Sequence, residues 1–228
     1  LYYPYRLWHN KLAKKITPVF LVYSNGIFSL YQYEFQDRDN YNSLVMNKQK
    51  NYSIDALEIS LDDIISVLQR AKVVEEPAVA FPQADSFKRV INLCELLVQG
   101  AMTKDEITLN YAFDPRQTNY YTDAGRYLGL IDKQKDDGKI VFSLSEQGQR
   151  IVRSKYKARQ LRLVEAVIRH RVFNETLRLY LKGGEMPRVS DIVEIMKKFG
   201  LYKVKAESTF RRRASTVISW ISWILELT

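Results

Sequence analysis

The 228-residue sequence has one cysteine, two histidines and no apolar run approaching the roughly 20 residues that cross a bilayer. The single Cys94 excludes an internal disulfide and a cysteine-based zinc site, and its neighbours Leu93, Leu96 and Leu97 predict a buried thiol. His9 and His170 are too far apart in sequence to suggest a site, and His170, between Arg169 and Arg171, reads as part of a basic surface. No glycine-rich phosphate loop follows a strand, Gly183-Gly184 sits between helical patterns, and serine-nucleophile patterns are missing. With no spanning segment or signal peptide in view, no membrane partner and a cytoplasmic location are expected. The chain opens on Leu1 inside an aromatic string, without an initiator methionine, and so reads as a fragment.

What is present is apolar material and basic charge. Hydrophobic residues make up 46% and aromatic residues 12%, enough for substantial cores in one or two domains. Net charge is +9; residues 1–76 hold nine Lys/Arg and nine Asp/Glu, so the excess of 26 over 17 lies after Glu76. Basic charge alone suits DNA, RNA or an anionic membrane equally, and helical context must choose.

The pattern predicts an α+β chain: antiparallel hairpins and one helix over 1–72, a linker over 73–82, a winged-helix domain over 83–157 and a second helix-turn-helix-like domain over 158–228. Thr17–Ser24 and Ile27–Phe35 flank Asn25-Gly26, a hairpin signal. Tyr41–Asn47 and Asn51–Ile54 suggest another strand pair around Lys48-Gln49-Lys50. Ser60 and Asp63 cap a helix lined by Leu61, Ile64, Ile65 and Leu68. Pro77 and Pro82 mark the linker.

Beyond it, Phe87, Val90, Ile91, Cys94 and Leu97 mark a helix ending near Gly100, and Thr103 with Glu106 caps a second. Asp114-Pro115 starts a third, whose Tyr121, Ala124, Gly125 and Leu128 share a face while Arg116, Asn119, Asp123 and Arg126 point away. The small pair Ala124-Gly125 suits a close helix crossing. A hairpin with Lys135 and Lys139 beside its Asp136-Asp137-Gly138 tip follows, completing a winged-helix order. Arg150 to Arg162 holds six basic residues and no acid, a candidate phosphate-contact stretch or a plain solvated face.

Leu161–Lys182 predicts a long helix, Pro187–Phe199 another, and Ser208 a cap for a last helix with Arg211, Arg212 and Arg213 in its first turns. Phase puts Phe210, Val217, Trp220, Ile221 and Ile224 inward, Arg211, Arg212 and Ser215 outward, and Arg213 towards the core. Arginines at a helix N-terminus suit phosphate and can reach base edges; a solvated basic turn is the plainer reading. Phase lets only one of Trp220 and Trp223 face the core fully, so Trp223 is expected to mark a dimer or domain contact.

Three segments, Phe81-Pro-Gln-Ala-Asp-Ser-Phe, Asp114-Pro-Arg-Gln-Thr-Asn-Tyr-Tyr-Thr-Asp-Ala-Gly-Arg-Tyr-Leu-Gly-Leu and Ser208-Thr-Phe-Arg-Arg-Arg-Ala-Ser-Thr-Val-Ile-Ser-Trp-Ile-Ser-Trp-Ile, resemble the C-terminal helical region of certain type II restriction endonucleases. Tyr2-Tyr-Pro-Tyr-Arg-Leu and Ile27-Phe-Ser-Leu-Tyr-Gln-Tyr-Glu-Phe look like the last strands of the preceding nuclease domain, of the PD-(D/E)XK type. The resemblance implies double-stranded DNA as partner, a homodimer on palindromic sites, and Mg²⁺ held by an Asp, a Glu and a nearby Lys. That set is not found here: Glu34, Asp37 and Asp39 cluster without a following Glu-x-Lys, and read as a solvated loop. Catalytic residues are therefore expected upstream of Leu1, with no cofactor in this fragment. The candidate DNA-binding set is Arg116, Gln117, Asn119, Tyr120, Arg126, Lys135, Lys139, Ser208, Thr209, Arg211, Arg212 and Ser215. Two other classes stay open: a winged-helix transcriptional regulator with an N-terminal sensing or dimerisation domain, and a winged-helix protein-interaction module.

Overall fold

The computed structural model describes residues 1–53, 58–111 and 114–228, and divides into two compact units, Leu1–Ala56 and Leu57–Thr228. The first unit holds α1 (Tyr2–Lys11) and an antiparallel sheet in the order β1 (Val19–Ser24), β2 (Ile27–Phe35), β3 (Leu44–Tyr52). Asn25 and Gly26 both take positive φ (52° and 79°), the two-residue turn that matches the twist of a hairpin.

Two strand expectations are corrected here. The aromatic string at the N-terminus is helical: Pro4 falls in the first turn, where its missing N–H costs nothing, and Tyr2 and Tyr5 lie 5.4 and 4.7 Å from the Phe35 ring. Instead of turning at Lys48-Gln49-Lys50, the chain runs through as one edge strand paired to β2, its exposed lysines blunting the edge. Ile54 lies outside the described residues. Among the described residues of this unit only Pro18 and Phe35 are buried.

The second unit runs α2 (Leu61–Arg70), α3 (Phe87–Leu96), β4 (Met102–Thr103), α4 (Lys104–Tyr111), α5 (Pro115–Tyr127), β5 (Ile131–Asp136), β6 (Lys139–Leu144), α6 (Glu146–Val152), α7 (Tyr156–Ile168), α8 (Arg171–Gly183), α9 (Val189–Phe199) and α10 (Glu207–Leu225). The whole is an α+β chain, strands first and then mostly helices. Ser60 and Asp63 form the expected capping box, but Ile64, Val67 and Leu68 face inward while Leu61 is exposed, because α2 packs on α7. Asp63 also receives Lys157 at 2.7 Å, and that bond, with those from Ser60, holds its carboxyl down to about 2. Helix α2 thus belongs with the helices after it, not with the strands before it.

From α3 to β6 the order is helix, strand, helix, helix and a β-hairpin, with β4 on the outer side of β6. This is a winged-helix arrangement. Thr103 and Glu106 cap α4 reciprocally, and the Asp114 carboxylate accepts the Arg116 N–H at 2.8 Å at the start of α5. Gly125 admits Ile131 of β5, whose side chain would collide with any Cβ there; the small residue serves a helix–strand approach, not a helix crossing.

Residues 73–82 are not a linker. The Val74 N–H donates to the Arg169 carbonyl at 2.9 Å, Tyr127 donates to Glu76 at 3.0 Å, and Phe81 is fully buried, its ring 5.5 Å from Phe173. The long helix expected over 161–182 is two: α7 stops at Ile168, and the Asn174 side-chain amide takes up the freed Ile168 carbonyl at 2.8 Å. His170, at that break, is not surface: it is 5% exposed, stacks 4.1 Å from Tyr127, and burial, with a smaller push from Arg169, holds its imidazole down to about 4. Burial likewise pushes the Cys94 thiol up to about 12, as its leucine neighbours predicted.

Candidate nucleic-acid interface

Helix α10 starts one residue before Ser208, on an Ala206 N-cap without a side-chain bond, so Ser208 is a first-turn residue and not the cap. Its inward face is as phase predicts, with Phe210, Val217, Trp220, Ile221 and Ile224 buried. Trp223 is buried too: Phe87 of α3 lies 4.9 Å from the Trp220 ring and 4.0 Å from that of Trp223, covering both. Of the two contacts expected for Trp223, dimer or domain, its burial against Phe87 is the second kind, made within the chain between α10 and α3.

Four α10 side chains grip the segment before α3. Arg213 donates to the Phe81 carbonyl, Ser219 to the Asp85 carbonyl, Trp220 Nε1 to the Ala84 carbonyl at 2.7 Å, and Thr216 to the Asp85 carboxylate at 3.0 Å. Since Phe81 and Phe87 also pack on the winged-helix residue Tyr127 and on Trp220, both helical halves share one core.

Arg213 leans inward as expected. Burial, then neighbouring Arg212, pull its guanidinium below the ordinary value, while Tyr120 and Asp123 of α5 oppose that shift. Arg213 therefore lies within electrostatic range of Tyr120 and Asp123 on α5. Arg116, Gln117, Asn119 and Tyr120 are exposed on α5, and Arg212 and Ser215 on α10. Buried Thr118 anchors the helix behind them, its hydroxyl 2.8 Å from that of Thr108 on α4.

The other candidates fare differently. Arg126 is half-buried and paired with Asp123 at 2.9 Å, which neutralises a carboxylate on an otherwise anion-attracting face. Arg211 approaches Glu207 at 3.9 Å, Ser208 is exposed and Thr209 half-buried. On the wing, the register pairs Asp136 with Lys139 across a two-residue Asp137-Gly138 turn, so Lys135 and Lys139 stand on opposite faces. Lys133, two residues before Lys135, shares its face and was missing from the expected set. The stretch from Arg150 to Arg162 does not make one basic face: Arg159 is buried against Glu95 at 3.2 Å, Lys157 is held by Asp63, and Arg150 meets Glu146 at 3.5 Å.

A further basic cluster escaped the sequence reading. Lys197 and Lys198 end α9, and Lys203 and Lys205 occupy the turn into α10, close to Arg211 and Arg212 in sequence with Glu207 the one acid between them. Lys203 takes φ 55°, and Lys197 is paired with Glu207 at 2.7 Å, leaving Lys203 and Lys205 as the turn's exposed charges. A charge count over 197–213 would have found them. Among the described residues no three His, Cys, Asp or Glu side chains gather as a metal site, and Glu34 is engaged by Asn47 at 2.7 Å and Lys15 at 3.7 Å. No helix among the described residues is long and apolar enough to cross a membrane.

Fold and surface together define a winged helix joined to a second helix-turn-helix-like half, carrying a basic and amide-bearing face. Residues 89–228 match the family described as Domain of unknown function (DUF7226), and the chain belongs to that family. Residues 1–53 match a second one, Domain of unknown function (DUF6997), a span that falls within the first structural unit. No curated protein and no solved structure matches the chain.

Proposed function

We propose that this chain binds double-stranded DNA sequence-specifically, as the recognition region of a type II restriction-type nuclease. The observation that carries the DNA reading is the exposed row Arg116, Gln117, Asn119 and Tyr120 on the third helix of a winged helix, with Arg212 also exposed on α10. Guanidinium and carboxamide groups are the side chains that read guanine and adenine edges bidentately in the major groove. Lysines of the wing and of the turn before α10 supply phosphate contacts around that row. The nuclease setting, and the Mg²⁺ that goes with it, rest on the resemblance alone.

Fluorescence anisotropy on randomised and then selected duplexes tests the reading. Arg116→Ala and Arg212→Ala should each weaken binding by about 1–3 kcal/mol, roughly 5- to 150-fold, and affinity should fall steeply with salt. With Mg²⁺ added, the chain should hold the duplex without cutting it. Undetectable binding at low salt, or indifference to both substitutions, defeats the proposal.

A further inference from the structure

Between α6 and α7 lies a cavity of about 290 Å³ whose lining includes Gln147, Arg150, Arg162, Glu165 and Arg169. The spacing explains the convergence: Gln147 and Arg150 are one turn apart on α6, while Arg162, Glu165 and Arg169 recur at three and four residues along α7. Arg162 is held in place by the Ser154 hydroxyl at 2.7 Å and the Arg150 carbonyl at 3.5 Å. Arg150 shares Glu146 with solvent at 3.5 Å, and among the described residues neither Arg162 nor Arg169 has a carboxylate within ion-pair reach. Three guanidiniums facing one lining carboxylate make a concavity of positive potential. Its volume sits just below the usual range of about 300–1,000 Å³ for ligand pockets, with ample room for a phosphate or diphosphate.

We infer that this groove is a binding site for a phosphate group, with Arg150, Arg162 and Arg169 pairing its oxygens and Gln147 adding a neutral donor. Guanidinium forks match phosphate oxygens two at a time, and the hydrogen bonds already fixing Arg162 reduce what ordering would cost. None of its lining residues lies on α5 or α10, and the inference does not depend on the DNA reading. Its phosphate comes either from a free phosphorylated molecule or from the backbone of a bound duplex.

Calorimetric titration of the full chain with inorganic pyrophosphate at constant ionic strength tests this. The intact protein should bind it, the Arg162→Gln/Arg169→Gln pair should weaken binding by about tenfold or more, and Glu165→Gln should tighten it. The last arm moves in the opposite direction and does not depend on whether the double variant folds. No binding by the intact protein, or equal affinity across the three, overturns the inference. A duplex titration then assigns the source: a shallower salt dependence in the double variant marks a backbone phosphate, and an unchanged one marks a free ligand. If no duplex binds while pyrophosphate does, the DNA reading falls and the groove stands.

Discussion

Arg213 of α10 donates its guanidinium hydrogen bond to the backbone carbonyl of Phe81, a residue that the sequence pattern placed in a linker. One of three consecutive arginines is thereby half-buried and made part of the fold. Arg213→Met should cost about 1–3 kcal/mol, because the buried Phe81 carbonyl loses its partner, while Arg212→Ala, on an exposed side chain, should leave stability nearly unchanged. Urea unfolding of both variants, set beside their duplex affinities, separates the two roles: stability should follow Arg213 and binding should follow Arg212.

At mildly acidic pH half-buried Glu76 and buried His170 act against each other. Burial lifts the Glu76 carboxyl from 4.5 to about 7, so its contribution to stability is complete below about 4.5 and is lost as pH rises through 7. Burial holds the His170 imidazole at about 4 against an ordinary 6.5, so its contribution is complete above 6.5 and is lost as pH falls through 4. Between 4.5 and 6.5 the slopes oppose and these two groups leave stability nearly flat. Glu76→Gln removes one of them, and its unfolding midpoint should then climb with pH across that window. A Glu76→Gln curve as flat as the parent's would show that this pair is not the source.

The turn lysines carry a prediction about salt and not about sequence. If Lys203 and Lys205 contact phosphate, replacing each by Ala should lower the slope of log affinity against log salt by about 1, on cognate and random duplexes alike. Lys133→Ala and Lys139→Ala on opposite faces of the wing should not behave alike, since one ribbon face at most can lie against a duplex. Equal slope changes for those two would contradict the register from Asp136–Lys139.

Much of the fold was legible because its signals are local. The caps at Ser60, Thr103 and Asp114 act over two or three residues, and Asn25-Gly26 and Asp137-Gly138 write their own turns. What could not be read was set by distant partners. Nothing near Phe81 announces that Phe173 and Tyr127 will enclose it, and nothing near Ile168 announces that Asn174 will take its carbonyl. The same holds at the candidate interface. Helical phase found the outward rows of α5 and α10 separately, but the approach of Arg213 to Tyr120 and Asp123 belongs to tertiary packing. The aromatic N-terminus failed for another reason: its tyrosines favour strands by propensity, and Phe35 made a helix pay better by giving Tyr2 and Tyr5 one shared partner.

The grip of α10 on residues 81–85 separates heredity from foldability. The matched family span begins at residue 89, yet Phe81, Ala84, Asp85 and Phe87, which receive Arg213, Trp220, Thr216, Ser219 and Trp223, all precede it. A polypeptide trimmed to the matched span would uncover the Phe87 side of two tryptophans and strand four hydrogen-bond donors at once. A piece of this chain that keeps these contacts must start upstream of Phe81.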